Sequence, residues 1–148
     1  MSKRAVSPLI AAILLIALTV SIGAMIIGWG RQYVQKQTSC LGVSVQITNL
    51  GGDNKNAKIT IKNTGTHNIL AGRLEVVFVL TNGEEVVYDS SKLTYLKLDG
   101  TTISDPAHYS ISPGGSIIIQ APWPSGETED IYIKHSVCGE ISNTYLVG

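Results

Sequence analysis

The sequence has few of the residues from which most enzyme and metal sites are built. Its 148 residues include only two cysteines and three histidines, and aromatic residues make up 6%. His67, His108 and His135 are isolated from one another, and no nucleophile elbow, phosphate loop or EF-hand accompanies them. We therefore expect no catalytic residue, no cofactor and no bound metal, and an enzyme is the least expected class. The acidic residues 127–130 and the glycine-rich residues 51–56 predict solvated turns.

Charge is scarce and balanced, with 11 Lys+Arg against 11 Asp+Glu and 15% charged residues in all. The basic residues are scattered singly and form no stripe or run, which excludes nucleic acid as the expected partner. The sequence also has no Asn-x-Ser/Thr sequon for N-linked glycosylation.

Residues 5–30 contain no charged side chain and consist mostly of Ala, Val, Ile and Leu. As a helix these residues extend about 39 Å, which exceeds the hydrocarbon thickness of a bilayer, about 30 Å. Lys3 and Arg4 precede the apolar run, which predicts a cytoplasmic N-terminus. The run is too long for a general secretory signal peptide, whose apolar region spans about 7–15 residues, but an uncleaved signal anchor has the same composition.

A short pattern at the start of this run resembles the class III signal peptide and N-terminal segment of archaeal type IV pilins. The resemblance covers residues 1–30 and rests on Lys3-Arg4-Ala5 followed by Val6-Ser7-Pro8-Leu9-Ile10. It implies cleavage by a prepilin peptidase between Ala5 and Val6, with Lys3 and Arg4 as the basic recognition residues. Ile10 stands where bacterial type IV pilins carry a glutamate, which favours the archaeal branch.

The resemblance also implies a domain organisation and a set of partners. Residues 1–5 would be the signal peptide, residues 6–39 the assembly and transmembrane helix, and residues 40–148 the head. The mature chain would form a helical homopolymer at the cell surface, used for adhesion. Its precursor would lie in the cytoplasmic membrane, and an assembly ATPase and a membrane platform protein would extract it.

Small residues recur along the apolar segment at steps of four, three and four, at Ala17, Ser21, Ala24 and Gly28. This spacing stacks them on one helical face, where they allow another helix to approach closely. We interpret this face as a helix-packing surface, although the same spacing also arises by chance in membrane helices.

From residue 41 onward the apolar residues alternate with period two, which predicts strands. Strands are expected at residues 43–47, 58–62, 74–81, 85–88, 93–98, 117–119, 131–137 and 140–147, with two-residue hairpin turns at Asn82-Gly83 and Asp99-Gly100. Seven to nine short strands without a helix predict an immunoglobulin-like sandwich, so the fold class is α+β with a long N-terminal hydrophobic α-helix. Residues 61–69 and 112–117 also look like turns in the heads of archaeal pilins and archaellins.

Cys40 and Cys138 lie far apart in sequence and have no neighbouring ligand at metal-binding spacing. A disulfide is the favoured interpretation, which places the head in an oxidising, extracytoplasmic compartment. Two separately buried thiols are the alternative.

Two further hypotheses about function remain open from the sequence. A membrane-anchored extracellular β-sandwich that binds a ligand without polymerising would share the same head. An archaellin-type subunit of a motility filament would share the helix as well.

Overall fold

The computed structural model describes residues 3–147, and the side chains of residues 3–6 and 35–39 lie outside the description. The chain begins as one α-helix, α1, over Lys3–Cys40, and continues as β-strands. Two units are separable, Met1–Ser39 and Cys40–Gly148. The α+β class and the long N-terminal apolar helix are confirmed.

Residues 3–147 contain eleven strands, more than the seven to nine expected, because several are only two residues long. In chain order they are β1 (Val45–Gly52), β2 (Asn56–Asn63), β3 (Ile69–Leu70), β4 (Leu74–Leu80), β5 (Glu85–Tyr88), β6 (Thr94–Leu96), β7 (Ser110–Ile111), β8 (Ser116–Pro122), β9 (Thr128–His135), β10 (Gly139–Glu140) and β11 (Tyr145–Leu146). A single 3₁₀ turn, Ala71–Arg73, precedes β4 within the described head.

The strands form two main antiparallel sheets. The first has the order β1-β2-β8-β6, and the second has the order β10-β9-β4-β5 with β11 also paired to β9. When β3, β7 and β11 are left out and the other strands are lettered in chain order, these strand orders correspond to the A-B-E-D and G-F-C-C′ arrangement of immunoglobulin domains. The short strands β3 and β7 pair with each other. The head is therefore a β-sandwich, as the alternating pattern predicts.

The core lies between the two sheets, where inward-facing side chains alternate with outward-facing ones. Ile59 and Ile119 of the first sheet and Phe78, Ile131 and Ile133 of the second are all fully buried. Each such side chain contributes about 1.5–3 kcal/mol when removed from water.

Tyr95 joins the two sheets by a polar contact inside this core. Its ring is buried, and its hydroxyl donates a hydrogen bond of 2.8 Å to the carbonyl of Leu74. Burial raises the pKa of Tyr95 well above its ordinary value, with smaller effects of Glu75 and Asp89. The phenol therefore stays protonated and keeps its role as donor.

The last strand differs from the expectation of one element over residues 140–147. It is split into β10 and β11, because side chains replace part of the ladder between them. The amide of Ile133 donates to Ser142 Oγ at 2.7 Å, and the amide of Ile47 donates to Asn143 Oδ1 at 2.9 Å. The amide of Val45 also donates to the carbonyl of Ile141 at 3.0 Å. Residues 141–143 thus connect the edge of the second sheet to β1 of the first.

Both predicted two-residue turns are wrong in length. The amide of Leu80 donates to the carbonyl of Glu84, and the amide of Gly83 donates to the carbonyl of Leu80. These two bonds close a loop of three residues, the last of which is Gly83 with a φ of 89°. The loop before Thr101 has the same pattern, with Gly100 at a φ of 92°. A type I turn followed by a left-handed glycine produces this longer loop from the same dipeptides.

Other sequence expectations are corrected at strand ends, and the first strand, expected over residues 43–47, is β1 over Val45–Gly52. Strand β6 is shorter than residues 93–98, and β9 ends at His135, so that Val137 lies in the following turn. Of residues 127–130, expected to form a solvated turn, Thr128, Glu129 and Asp130 belong to β9, which pairs with β4 and β11, and Glu127 precedes the strand. Of the expected turn over residues 51–56, only residues 53–55 lie outside strands, because β1 extends to Gly52 and β2 begins at Asn56. In this turn Asp53 Oδ1 accepts hydrogen bonds from the amides of Lys55 and Asn56. These two bonds hold the pKa of Asp53 below its ordinary value.

Asn63 is the buried polar residue that organises the turns at one end of the sandwich. Its Nδ2 donates to the carbonyls of His67 and Ile111 at 2.8 and 2.9 Å, and its Oδ1 accepts from the amide of Gly65 at 3.0 Å. It is only 1% exposed, so water cannot replace these partners.

We expect Asn63→Asp to lower the free energy of unfolding of the head by about 3 kcal/mol, because it removes both donors and buries a charge. Asn68→Asp, on an exposed residue of the same loop, is the matched control and should change the stability little. Thermal unfolding of the full chain in detergent, followed by β-sheet circular dichroism, measures both. Equal melting temperatures for the two variants would contradict this assignment.

Candidate assembly helix

The segment Ser7–Val34 of α1 is the candidate functional site. Its 28 residues have a mean hydropathy of 2.8 in the most apolar window, which makes the segment long and apolar enough to cross a membrane. Its large side chains are exposed, with Leu14 at 64%, Ile16 at 63% and Met25 at 77%. Soluble monomers rarely expose a continuous apolar surface of this size. The segment requires either lipid or other apolar helices around it.

The two hydroxyl side chains in the middle of the segment are satisfied within the helix. Thr19 Oγ1 donates to the carbonyl of Ile16 at 2.9 Å, and Ser21 Oγ donates to the carbonyl of Ala17 at 2.8 Å. A polar group without a partner is costly in an apolar environment, and these bonds remove that cost. Thr19 and Ser21 therefore leave the segment compatible with lipid and with a neighbouring helix.

The predicted packing face, Ala17, Ser21, Ala24 and Gly28, is exposed along its whole length. The Ser21 hydroxyl points back to Ala17 within this face, which keeps it from obstructing an approaching helix. The position of a Cβ at Gly28 has open space within 4 Å. A second backbone has room to approach there, and the role of this face in packing stays a prediction.

The outward end of the segment carries a pair of aromatic residues. Trp29 and Tyr33, one helical turn apart, stack with ring centroids 5.6 Å apart and an interplanar angle of 16°. Arg31 is the first charged residue after Arg4. Aromatic rings beside the first charge are typical of the membrane–water interface, so this turn marks the expected limit of the hydrocarbon region.

The predicted processing residues lie at the opposite end. The backbone of α1 begins at Lys3, but the side chains of Lys3, Arg4, Ala5 and Val6 lie outside the described residues. Pro8 is inside the helix of the uncut chain. Its ring nitrogen cannot donate to the carbonyl of Arg4, which weakens the helix across the predicted Ala5–Val6 bond.

Cys40 and Cys138 form a disulfide, with their Cα atoms 5.5 Å apart and 98 positions apart in sequence. Cys138 lies in the turn between β9 and β10, and Cys40 is the last residue of α1. The bridge therefore joins Cys40, at the end of α1, to the turn between two strands of the second sheet. Closing a loop of this length stabilises the folded head by up to about 4.7 kcal/mol on the chain-entropy account.

His135 supports the turn that carries Cys138. Its Nδ1 accepts hydrogen bonds from the amides of Val137 and Cys138, both at 3.2 Å, which requires an unprotonated Nδ1. Partial burial lowers the pKa of His135, and the positive charge of Arg73 lowers it further while Glu75 opposes the shift. The neutral ring is thus the form that fits the fold.

The other two histidines make local contacts at the surface. His67 Nδ1 lies 3.1 Å from Thr66 Oγ1, and His108 Nδ1 lies 2.8 Å from Asp105 Oδ2 with both side chains exposed. Among the described residues, no group of three or more His, Cys, Asp or Glu side chains is placed to hold a metal ion.

No protein family matches the chain, and no curated protein matches it. Among solved structures, the chain is similar to the archaellum periplasmic stator protein FlaG from Sulfolobus acidocaldarius, with 19% identity and a TM-score of 0.48 over 71% of this chain and 99% of that chain. The complex of FlaF and FlaG from the same organism gives 19% identity and a TM-score of 0.48 over 70% and 88%.

A third solved structure, described as the unique CBM3- of Hungateiclostridium clariflavum, is 14% identical with a TM-score of 0.36 over 68% of this chain and 97% of that chain. Similarities at these identities and TM-scores assign neither a function nor a partner to the chain.

We expect Ala24→Leu and Gly28→Leu to reduce association of α1 with other helices by about tenfold each, because a larger side chain keeps two backbones apart. Ile26→Leu and Ile27→Leu conserve volume on other faces and serve as controls. The yield of chain in any polymer or oligomer isolated from membranes measures the effect. If Ala24→Leu and Gly28→Leu both associate as fully as the wild type, this face is excluded as the contact between helices.

The low pKa of His135 makes the stability of the head dependent on pH. The unfolded chain binds this proton more readily than the folded chain, so the stabilisation is present above the unfolded pKa of about 6.5 and is lost as pH falls below it. We expect the melting temperature of the wild type to fall as the pH is lowered from 7.5 to 5. The melting temperature of His135→Gln should fall less over the same range. His108→Gln is the control, and an unchanged slope in His135→Gln would contradict the assignment.

Proposed function

We propose that this chain is a structural subunit, a pilin, of an extracellular archaeal type IV pilus that polymerises through its N-terminal helix. The observation that carries the proposal is an apolar helix whose large side chains are exposed, preceded by Lys3-Arg4-Ala5 and followed by a β-sandwich head. Adhesion is the function that the resemblance implies for such a filament.

The apolar helix supports assembly because it remains in an apolar environment before and after polymerisation. In the membrane its side chains contact lipid, and in a filament they contact like helices. Lipid is as apolar as leucine, so helix association depends on close packing and not on burial alone. The small residues from Ala17 to Gly28 provide a face on which such packing is possible.

The position of Pro8 supports removal of residues 1–5. In a mature chain that starts at Val6, Pro8 is the third residue of the helix. The first four amides of any helix lack an intrahelical acceptor, so a proline there costs no hydrogen bond. The same proline in the uncut chain lies inside α1. Processing therefore removes a local defect from the helix.

The head supports an extracytoplasmic location. The Cys40–Cys138 disulfide persists in oxidising compartments, and disulfides are rare in the cytosol. Together with the positive residues before the helix, it favours a precursor with its N-terminus inside and its head outside. The prepilin peptidase, the assembly ATPase and the membrane platform protein follow from the resemblance.

A second candidate is a membrane-anchored β-sandwich that binds a ligand and does not polymerise. It is favoured by the one candidate span within residues 3–147, since an uncleaved anchor needs no more than this helix. An archaellin-type subunit of a motility filament is a variant of the first proposal, and filament morphology separates the two.

The N-terminus of the mature protein tests the proposal. In an archaeal host that assembles type IV pili, we expect mass spectrometry of the surface protein to show a chain that starts at Val6. Substituting both Lys3→Ala and Arg4→Ala should leave residues 1–5 attached and abolish filaments. Arg31→Ala, which removes the next basic residue, should be processed normally. A mature surface protein that starts at Met1 or Ser2 would contradict the pilin role and favour the anchored module.

A further inference from the structure

The outer surfaces of the two sheets of the head differ in charge. Strands β1, β2, β6 and β8 of the first sheet, all within the described residues, contain two lysines and no acidic residue. The strands of the second sheet contain five acidic residues and one lysine. The formal net charge of the whole chain is zero, so it gives no sign of this difference between the sheets.

The outer surface of the first sheet is a basic face, which we define by Lys58, Thr60, Lys62, Ile118 and Gln120. Burial alternates along β2, so that Lys58 and Lys62 are exposed whereas Ile59 and Ile61 are buried. Lys58 lies opposite Gln120 and Thr60 lies opposite Ile118 in the ladder with β8. The two ammonium groups therefore flank a small centre formed by Thr60 and Ile118.

The outer surface of the second sheet is an acidic face, which we define by Glu75, Glu85, Val87, Asp130, Tyr132 and Glu140. Lys134, between Glu75 and Glu140 in the ladders, is the one basic residue of these strands. The Tyr132 hydroxyl donates to Glu85 Oε2 at 3.3 Å. Val87 is 44% exposed. Carboxylates thus surround a small apolar centre.

Two carboxylates of the acidic face affect the pKa of Tyr132 at its centre. The pKa of Tyr132 is raised first by partial burial, then by the charge of Glu85 and its hydrogen bond, and also by the charge of Glu140. Both carboxylates act on the same ring from different strands. A cation that approaches this face meets several carboxylates at once.

We propose that the basic face of one head packs against the acidic face of a second copy of this chain in the filament. This inference rests on the proposed polymerisation. The two faces lie on opposite sides of one sandwich and differ from each other, so the contact is heterologous. A heterologous contact leaves the acidic face of the first copy and the basic face of the second free to bind further copies, and its repetition forms an open helical array instead of a closed dimer.

The size of the faces explains why the contact depends on the helix. The strands of each sheet are two to eight residues long, and at a spacing of about 4.8 Å and a rise of about 3.4 Å per residue they cover roughly 400 Å². A stable complex buries about 800 Å² per partner, so this contact is weak by itself. Helices that are already bundled hold the heads at high local concentration, where a weak, charge-complementary contact sets the register between neighbours.

Carbodiimide cross-linking of filaments of the full chain tests the contact directly, because it joins an amine to a carboxylate without a spacer. We expect peptides that link Lys58 or Lys62 to Glu75, Glu85, Asp130 or Glu140. The faces lie on opposite sides of two sheets about 10 Å apart, so such a link must join two copies. Links from both lysines to other proteins, or to none of these carboxylates, would overturn the proposal.

Charge reversal tests the same contact by function. Lys58→Glu combined with Lys62→Glu should lower the polymerised fraction at least about tenfold under the heat or salt that half-dissociates the wild type, because like charges then face each other. Adding Glu85→Lys and Glu140→Lys should restore it. Lys92→Glu with Lys97→Glu changes charge equally at exposed loop positions and should have little effect.

The outcomes separate this inference from the proposed function. Filaments of Lys58→Glu/Lys62→Glu chains that are as stable as the Lys92→Glu/Lys97→Glu control overturn the contact between heads and leave the pilin role intact. A wild-type chain that is exported but never polymerises overturns both. Unchanged abundance of each variant in the membrane shows that its head still folds.

Discussion

The rest of the structure depends on one constraint, which is that the apolar side chains of Ser7–Val34 have no core of their own. Water cannot remain their solvent, because exposure of so many large side chains carries the full hydrophobic cost. The segment therefore needs lipid or other apolar helices around it, and the proposed polymerisation would replace the first by the second. The internal hydrogen bonds of Thr19 and Ser21 keep the segment compatible with both environments.

The head meets a complementary requirement, since it must remain folded in water at the end of an apolar helix. Its two sheets share a buried core, and Tyr95 connects them by a hydrogen bond to Leu74. Residues 141–143 join the edge of one sheet to β1 of the other, and the disulfide ties Cys40 to the turn after β9. These links connect the two sheets to each other and tie Cys40 to the second sheet. The two outer faces of this head carry opposite charges, on which the proposed contact between copies depends.

Much of this architecture is predictable from the sequence because it follows from regular periodicity. The charge-free run predicts α1, and the alternation in Lys58–Lys62 predicts the buried and exposed sides of β2. The split of the last strand is not predictable, because Ser142 and Asn143 bond to a partner strand that is distant in sequence. The same reason hides the role of Asn63, whose partners include Ile111. The basic and acidic faces are not predictable either, because they depend on the strand order that places Glu85 and Glu140 on one sheet.

Electron cryomicroscopy of surface filaments isolated from cells that produce this chain is the most direct test of the account. The account predicts a central bundle of helices that starts at Val6, with the small residues near Gly28 facing a neighbouring helix and the sandwich heads outside. Surface filaments that lack this chain, together with a full-length chain that stays as single helices in the membrane, would contradict it.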